Sequence, residues 1–446
     1  MSRYKTLSIL LVGQTALLYF SKFTAWPEML LWPFLILNGW LPYQDIAIAH
    51  TPLLFTDLTI WYSLVGLGVT TLKIYTWLLL AITAVSIWFC VSSNTVEKRI
   101  RASVAVFTYI YLVVIYEGNG LWFEHLVGLL ALVTYLFIER KHYFSAGVAT
   151  ILMILTKQTG VWFLPAIGLS IFHRTRSIHE YLKYCFAILI TAGLFLSVIF
   201  LLGIEQDFWQ WVVEFGIGVL PHADGQVVLP SVRQLFIAVI PYSILVPAYF
   251  LLKTRRELII WTIVGVFGVY PRWELFHFLP SLPFLAIIVG ELTRPEYIKK
   301  SLFGFLIIIY IMTISLLFGR SYLRNIDHIV RFAEPDVVAV SQYINAKREG
   351  TGTIYILNDW DSIYPFSQSL PATKPWYPHL SWYMELKDVQ NNIVSDLQNN
   401  KPALIIMKDF TKSGLGSYKP LVVLEEISKN YVLEVTIDGH DIYRRK

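Results

Sequence analysis

Long apolar stretches separated by short polar segments dominate the first 319 residues of this chain. Eleven of them are long enough to form helices that enter a membrane, and they cover residues 7–24, 72–91, 102–116, 121–138, 143–155, 160–172, 181–202, 232–252, 258–270, 275–289 and 301–318. A spanning helix needs about 20 mainly apolar residues, and several of these stretches approach that length. The pattern predicts a polytopic α-helical membrane protein with about eleven transmembrane helices.

After residue 319 the apolar positions recur in shorter groups, with helical and alternating spacing in turn. The spacing predicts helices over 336–347, 386–398 and 421–429, and strands over 353–357, 403–407 and 432–437. Such alternation is typical of a small α/β domain. An aromatic segment, 371–383, interrupts it. That segment is expected either to stack on an acceptor glycan or to pack against the membrane part.

Composition and charge support this division. The 446 residues are 56% hydrophobic and 15% charged, whereas soluble domains average about 25% charged. Residues 1–319 hold 21 basic and 16 acidic side chains, and residues 320–446 hold 15 of each. We therefore predict a membrane domain over 1–319 and a soluble domain over 320–446. The composition excludes a disordered protein and a nucleic-acid binder. The chain has only two cysteines, which excludes a disulfide scaffold.

A twelfth apolar stretch, 52–68, decides the orientation. If it does not cross the membrane, 16 of the 21 basic residues before the tail fall on one side. Basic residues concentrate in cytoplasmic loops, so we expect this stretch to be interfacial or re-entrant. The N-terminus is then cytoplasmic, as an uncleaved first helix, and the tail is extracytoplasmic. The other five basic residues lie outside: Lys22, Lys73, Lys157, Arg233 and Arg272.

Two of these outer cations stand in the turns of helix pairs too short to span the membrane, 143–155 with 160–172 and 258–270 with 275–289. Non-helical backbone below the membrane surface is tolerated where it is buried in protein or lines a cavity. Lys157 and Arg272 are therefore candidates for binding an anionic ligand at headgroup level. The alternative is that they reach lipid phosphates at the rim.

Three outer segments carry a resemblance to a known family. Residues 39–45 read G-x-x-P-Y-x-D and residues 50–53 read H-x-P-L; residues 156–160 read T-K-x-x-G, and residues 271–277 read P-R-x-E-x-x-H. In this order the motifs resemble the GT-C superfamily, membrane glycosyltransferases that use lipid-phosphate-linked sugars. They are most similar to dolichyl-phosphate-mannose protein mannosyltransferase (family 39)-like proteins. The long acidic motif of oligosaccharyltransferases is missing, so transfer of whole glycans to Asn is not implied.

The resemblance implies that Asp45 is the general base that takes the acceptor proton, with a helix cap near Ile46 as the alternative role. Lys157 and Arg272 fit a clamp on the donor phosphate. His50 is a candidate contact to that phosphate or to the donor sugar, or else an interfacial histidine bonded to backbone. Glu117, in the second outer turn (residues 116–120), is a candidate to bind sugar or acceptor hydroxyls or to act as a second acid; the alternative is a solvated turn residue.

Glu274 and His277 are three residues apart, so we expect them to share a helix face and to contact substrate or each other. A pair alone is a weak metal site. Accordingly no cofactor is expected and a divalent metal is not indicated. Glu124 and His125 are weaker candidates.

The resemblance implies transfer of a single sugar from a polyprenyl-phosphate donor to an extracytoplasmic glycan, lipid or protein, with inversion at the anomeric carbon. Two alternatives stay open. One is a transporter or flippase of lipid-linked sugars, although the sequence shows none of the internal repeats that many transporters have. The other is a membrane scaffold that binds partners through its tail.

Overall fold

The computed structural model describes residues 3–92, 95–299, 301–347, 352–410 and 418–446. Lys300, one of the basic residues predicted to be cytoplasmic, lies outside them, and the side chain of Arg3 is not described. The α-helices up to residue 325 are Arg3–Tyr19, Pro27–Leu37, Leu53–Val65, Val69–Val91, Val96–Ile115, Phe123–Glu139, Tyr143–Thr156, Leu164–Arg174, Ile178–Leu202, Glu205–Phe208, Val232–Val239, Leu245–Leu251, Glu257–Val264, Leu282–Leu292, Pro295–Ile298 and Ser301–Asn325. A π-helix covers Trp209–Val219, and 3₁₀ turns cover Gln158–Phe163, Leu220–His222, Ile240–Ile244, Lys253–Arg255, Phe267–Val269 and Leu275–Ser281.

Five helical stretches in the described residues are long and apolar enough to cross a membrane: Val69–Val91, Ile178–Leu202, Val232–Leu251, Leu275–Leu292 and Leu302–Asn325. Other predicted spans form helices that are shorter or carry charges, such as the 17-residue Arg3–Tyr19 and Phe123–Glu139. The protein is a multi-pass membrane protein. The number of helices that cross stays a prediction.

The first loop, residues 22–71, which the sequence predicts to be outside and which is called the first outer loop below, contains more structure than its sequence suggested. Residues 53–65 form a helix of 13 residues, too short to span,. Before it lies the helix Pro27–Leu37, which sequence analysis missed because Pro33 interrupts the helical pattern,. Pro27 is tolerated because the first helical position needs no N–H donor. Eight residues of this helix are buried, so packing outweighs the cost of the internal proline.

The two short helix pairs bend where the polar turns predict. Tyr143–Thr156 ends at Lys157, and the chain continues as a 3₁₀ turn into Leu164–Arg174. Glu257–Val264 is followed by a break around Tyr270 and Glu274 before the chain re-enters as Leu275–Ser281. Both breaks place an outer cation next to buried helices.

The C-terminal segment forms a four-stranded mixed sheet. Its strands are β3 (Ile354–Leu357), β4 (Leu404–Lys408), β5 (Tyr431–Ile437) and β6 (His440–Arg445), in the order β3-β4-β6-β5. β3 pairs parallel to β4, and the other pairs are antiparallel. The accompanying helices are Pro335–Lys347, Ile363–Phe366, Ser381–Met384, Val389–Asn400 and Leu421–Asn430. Sequence analysis missed β6, whose six residues include four that are charged or histidine.

The C-terminal segment and the first outer loop share one apolar core. Buried residues of Pro27–Leu37 and Leu53–Val65 belong to the same cluster as β3, β4 and the π-helix side chains Trp211 and Phe215. A short parallel pair, β1 (Phe23–Thr24) with β2 (Val330–Arg331), joins the two regions again. The helix Ser301–Asn325 continues six residues past position 319, where the charge density changes. The sheet is therefore held against the membrane part by contacts that exclude water.

Candidate active site

The loop around Asp45 is a tight turn closed by its own side chain. The Leu41 N–H donates to Asp45 Oδ2 at 2.8 Å, and the Asp45 N–H donates to Leu41 O at 2.9 Å. Tyr43 has a φ of 71°, in the left-handed region. No helix begins at Ile46, so the carboxylate is not a helix cap. It is fixed by a turn of five residues and is half-buried.

The C-terminal segment forms one wall of this turn. Lys374 Nζ lies 3.0 Å from Asp45 Oδ2. Trp376 N–H donates to Asp45 O at 2.8 Å, and Ala47 N–H donates to Trp376 O at 3.0 Å. Among the described residues, no hydrogen bond reaches the other carboxylate oxygen, Oδ1. The aromatic segment 371–383 thus packs against the membrane part and holds Asp45 with one oxygen available.

A second acidic side chain stands near Asp45. Asp207 belongs to the short helix Glu205–Phe208. Burial, the charge of Asp45 and the charge of Glu205 raise the pKa of Asp207 above its usual range. The helix continues into the π-helix, where the Trp211 and Phe215 rings contact Tyr383. This loop covers the same side of the site as the aromatic segment.

Lys157 lies in a buried polar group with two residues from other helices. Its ammonium forms an ion pair with Glu124, whose Oε1 also lies 2.5 Å from His277 Nδ1. The side chains of Glu124 and Lys157 are 3% and 9% exposed. Lys157 therefore has a protein partner of opposite charge, which the sequence did not predict. Its charge is balanced by Glu124, which was only a weak candidate.

His50 adjoins this buried group. Its ring packs at 4.5 Å from the Phe123 ring, and its backbone oxygen accepts a 2.9 Å hydrogen bond from the Tyr43 hydroxyl. Burial and then the positive charge of Lys157 lower the pKa of His50 to about 3. The imidazole is thus neutral at physiological pH. A neutral ring offers a hydrogen bond to a ligand, but no positive charge.

Arg272 occupies the second break. Its guanidinium lies 3.6 Å from Glu274 Oε1 and 3.4 Å from Gln226 Oε1. It also stands 5.9 Å from the Trp382 ring of the aromatic segment. The side chain is 36% exposed, and its ion pair is loose. Of the two predicted clamp cations, Arg272 is the more exposed, at 36% against 9% for Lys157.

Glu117 lies near the start of the second outer turn, directly after Tyr116 that ends the helix Val96–Ile115, with a φ of 55°. Loss of water around the turn and the charge of Glu274 raise the pKa of Glu117, and Arg331 and Lys22 oppose this effect. Its side chain is exposed. A carboxyl group with a raised pKa near a cationic arginine is suited to exchanging a proton or binding a hydroxyl.

The sequence-predicted residues therefore fall into three linked groups. Asp45 stands with Lys374; His50, Lys157 and His277 gather around Glu124; Arg272 pairs with Glu274 near Glu117. The expected shared helix face of Glu274 and His277 is wrong, because Glu274 has extended backbone angles (φ −142°, ψ 142°) and lies before the 3₁₀ turn that begins at Leu275. That turn sends His277 inward to Glu124 and leaves Glu274 at the surface with Arg272.

Sequence reasoning gave too little weight to Glu124 and missed Lys374. A carboxylate at the end of the apolar stretch 121–138 was a usable signal for Glu124, since a charge in such a position needs a partner. No local signal marks Lys374, which is 329 positions from Asp45. Within the described residues, no three His, Cys, Asp or Glu side chains are arranged to hold a metal ion.

Solved structures of other proteins share this architecture. No protein-family model and no curated protein sequence matches the chain. Among solved structures, ArnT from Cupriavidus metallidurans bound to undecaprenyl phosphate matches with a TM-score of 0.64 and 13% identity, covering 99% of this chain and 97% of that one. The apo state of the same protein matches with a TM-score of 0.64 and 14% identity over the same shares.

A third structure is the Archaeoglobus fulgidus oligosaccharyltransferase tethered with an acceptor peptide. It matches with a TM-score of 0.56 and 10% identity, covering all of this chain and 74% of that one. At these identities the likeness is one of fold. The chain therefore shares the fold of ArnT and of this oligosaccharyltransferase, which is the fold that the resemblance of its motifs to the GT-C superfamily predicts.

Proposed function

We propose that the protein is a membrane glycosyltransferase that moves one sugar from a polyprenyl-phosphate donor to an extracytoplasmic acceptor, with inversion. The observation that carries this proposal is the setting of Asp45. Two donors hold one carboxylate oxygen in place, and the other oxygen has no hydrogen bond within the described residues. A fixed carboxylate with one available oxygen is the arrangement that a general base needs.

The proposed reaction balances with the residues present. The acceptor hydroxyl oxygen forms a bond to the anomeric carbon as the bond between that carbon and the phosphate oxygen breaks. The hydroxyl proton goes to Asp45, and the polyprenyl phosphate departs with an added negative charge. Arg272 is suited to stabilise that charge, because a guanidinium makes bidentate contacts to phosphate and this one is partly exposed.

Lys157 and His50 support the donor phosphate from the buried side in this proposal. Lys157 is paired with Glu124, so the buried group has less net positive charge than a free lysine would supply. His50 is neutral and offers a hydrogen bond. The likeness to a structure bound to undecaprenyl phosphate supports a lipid-linked donor. The identity of the sugar and of the acceptor is not assigned.

The deciding experiment uses purified protein with polyprenyl-phosphate sugars and a panel of hydroxyl acceptors. General-base catalysis typically contributes about 10²- to 10⁴-fold, so Asp45→Asn is expected to lose that much turnover and to bind donor normally. Asp57→Asn is the matched control. Asp57 also lies in the first outer loop but is bonded to Tyr75, and its variant is expected to stay within about threefold of wild type.

Equal turnover by Asp45→Asn and the wild type would remove Asp45 as the base. Movement of the lipid-linked sugar between the two leaflets of vesicles that contain the protein, without any sugar transfer, would favour a flippase instead. The orientation needs a separate test. A reporter fused after Lys446 is expected to be extracytoplasmic, and a cytoplasmic signal would reverse the topology on which the site depends.

A further inference from the structure

A buried polar cluster lies where the helix Pro27–Leu37 meets the C-terminal segment. Its members are Glu28, Tyr355, Asp361, Trp376 and His379. His379 Nε2 is 3.2 Å from Asp361 Oδ1. The His379 ring lies 5.8 Å from the Tyr355 ring, nearly perpendicular to it, and 6.4 Å from the Trp376 ring. None of these side chains takes part in the proposed proton transfer or phosphate contact.

The cluster is defined by polar atoms without partners. Tyr355 and Trp376 are 1% exposed and His379 is 9% exposed. Within the described residues, no hydrogen bond is made by four inaccessible atoms outside the His379–Asp361 contact: Tyr355 Oη, Trp376 Nε1, His379 Nδ1 and Glu28 Oε2. A buried polar atom that stays unpaired destabilises the folded protein, and folded proteins rarely leave several together. A polar partner therefore belongs in this cluster.

The chemistry of the atoms narrows the class of partner. The tyrosine, tryptophan and histidine supply donors, and the two carboxylates supply acceptors. Burial raises the pKa of Glu28 to about 7, an effect reduced by its own backbone N–H and increased by the charge of Asp361. Two carboxyl groups disfavour a phosphate. A hydroxyl group both donates and accepts, so several hydroxyls on one ring suit this mixture, with aromatic rings beside them.

The cluster is joined directly to the loop of the proposed base. The Trp376 backbone exchanges hydrogen bonds with Asp45 and Ala47, while its indole faces the His379 side. A sugar held by these side chains would thus lie beside the Asp45 loop.

We propose that Glu28, Tyr355, Asp361, Trp376 and His379 form a sugar subsite that binds the hydroxyl groups of a substrate and is shared between the first outer loop and the C-terminal segment. The proposal rests on the proposed glycosyl transfer for the identity of the ligand. The bound sugar is either that of the acceptor or that of the donor, since both present hydroxyl groups.

The test uses Tyr355→Phe, which removes one hydroxyl and leaves the ring. If this hydroxyl binds sugar, the KM for one substrate rises about 5- to 10-fold, kcat stays within about twofold, and Tm without substrate does not fall. An increase in the KM for the acceptor identifies an acceptor subsite, and an increase in the KM for the donor identifies a donor subsite. Asp361→Asn serves as the second variant, and Tyr443→Phe, on β6, is the matched control.

Direct binding separates this proposal from the proposed function. Saturation-transfer NMR with free monosaccharides on the full-length protein needs no turnover. Signal that is reduced in Tyr355→Phe and unchanged in Tyr443→Phe supports the subsite even if no transfer is detected. Unchanged KM values and unchanged sugar signal in both Tyr355→Phe and Asp361→Asn would overturn it, and would leave the cluster as a structural site filled by water.

Discussion

Replacing Lys157 distinguishes a phosphate clamp from a structural ion pair. In Lys157→Met the Glu124 carboxylate loses its ammonium partner while it is 3% exposed. Breaking a buried pair from one side costs about 3–5 kcal/mol. His277 stays 2.5 Å away and is able to take up a proton, so we expect the lower end, about 3 kcal/mol. The measured result is a lower Tm in detergent.

The double variant Lys157→Met with Glu124→Gln removes both charges. Replacing a whole buried pair is often close to neutral, so we expect it to recover most of the lost Tm. Donor affinity is then measured on this variant by titration with a polyprenyl-phosphate sugar. If Lys157 contacts the phosphate, affinity stays about 10- to 100-fold below wild type, which is the loss of one charged hydrogen bond.

Recovery of both Tm and donor affinity in the double variant would assign Lys157 a purely structural role. A single variant with unchanged Tm would refute the burial argument itself. Lys183→Met is the matched control, because Lys183 pairs with Glu180 but is 45% exposed. Exposed pairs contribute about 0–1 kcal/mol, so its Tm is expected to change little.

Three further predictions follow from other contacts. Lys374→Ala is expected to lower kcat/KM about two- to fivefold, since its 3.0 Å pair with Asp45 is half-exposed and contributes about 0.5–1 kcal/mol. Burial lowers the pKa of His440, but the contact with Asp359 outweighs burial and raises this pKa overall. Tm is therefore expected to fall as pH rises above about 6.5. The variant His440→Asn is expected to remove this dependence of Tm on pH. Gly290→Ala is expected to destabilise by about 1–3 kcal/mol, because its Cβ would lie 2.7 Å from a facing backbone oxygen.

Each of these three predictions has its own control or contradicting outcome. Lys374→Arg is expected to keep the activity, and a loss above about 100-fold in Lys374→Ala would mean that the ammonium contacts the reacting groups. The sign for His440 follows from its raised pKa: the protonated ring stabilises the fold at low pH and loses its proton at high pH. A Tm that rises with pH would contradict it. Gly193→Ala, whose Cβ meets nothing within 4 Å, is expected to be neutral or stabilising.

Much of the fold was accessible from local patterns. The helix breaks at Lys157 and before Leu275 appear where polar turns interrupt apolar stretches, and all six of the strands and helices expected in the tail begin within three residues of the expected positions. The pattern failed for the helix Pro27–Leu37 and for β6. In both, tertiary packing overrides a composition that argues against regular structure: prolines in the helix, and charged residues in the strand.

The sequence by itself determined the elements that depend on neighbours in the chain. These are the apolar helices and the alternating pattern of the tail, because hydrophobic periodicity acts over a few residues. Only the tertiary structure decided which charges meet. Lys374 reaches Asp45, and Glu124 neutralises Lys157, through contacts between segments far apart in the chain. Burial then decides what each charge does, since a cation paired inside the protein acts differently from one free at the surface.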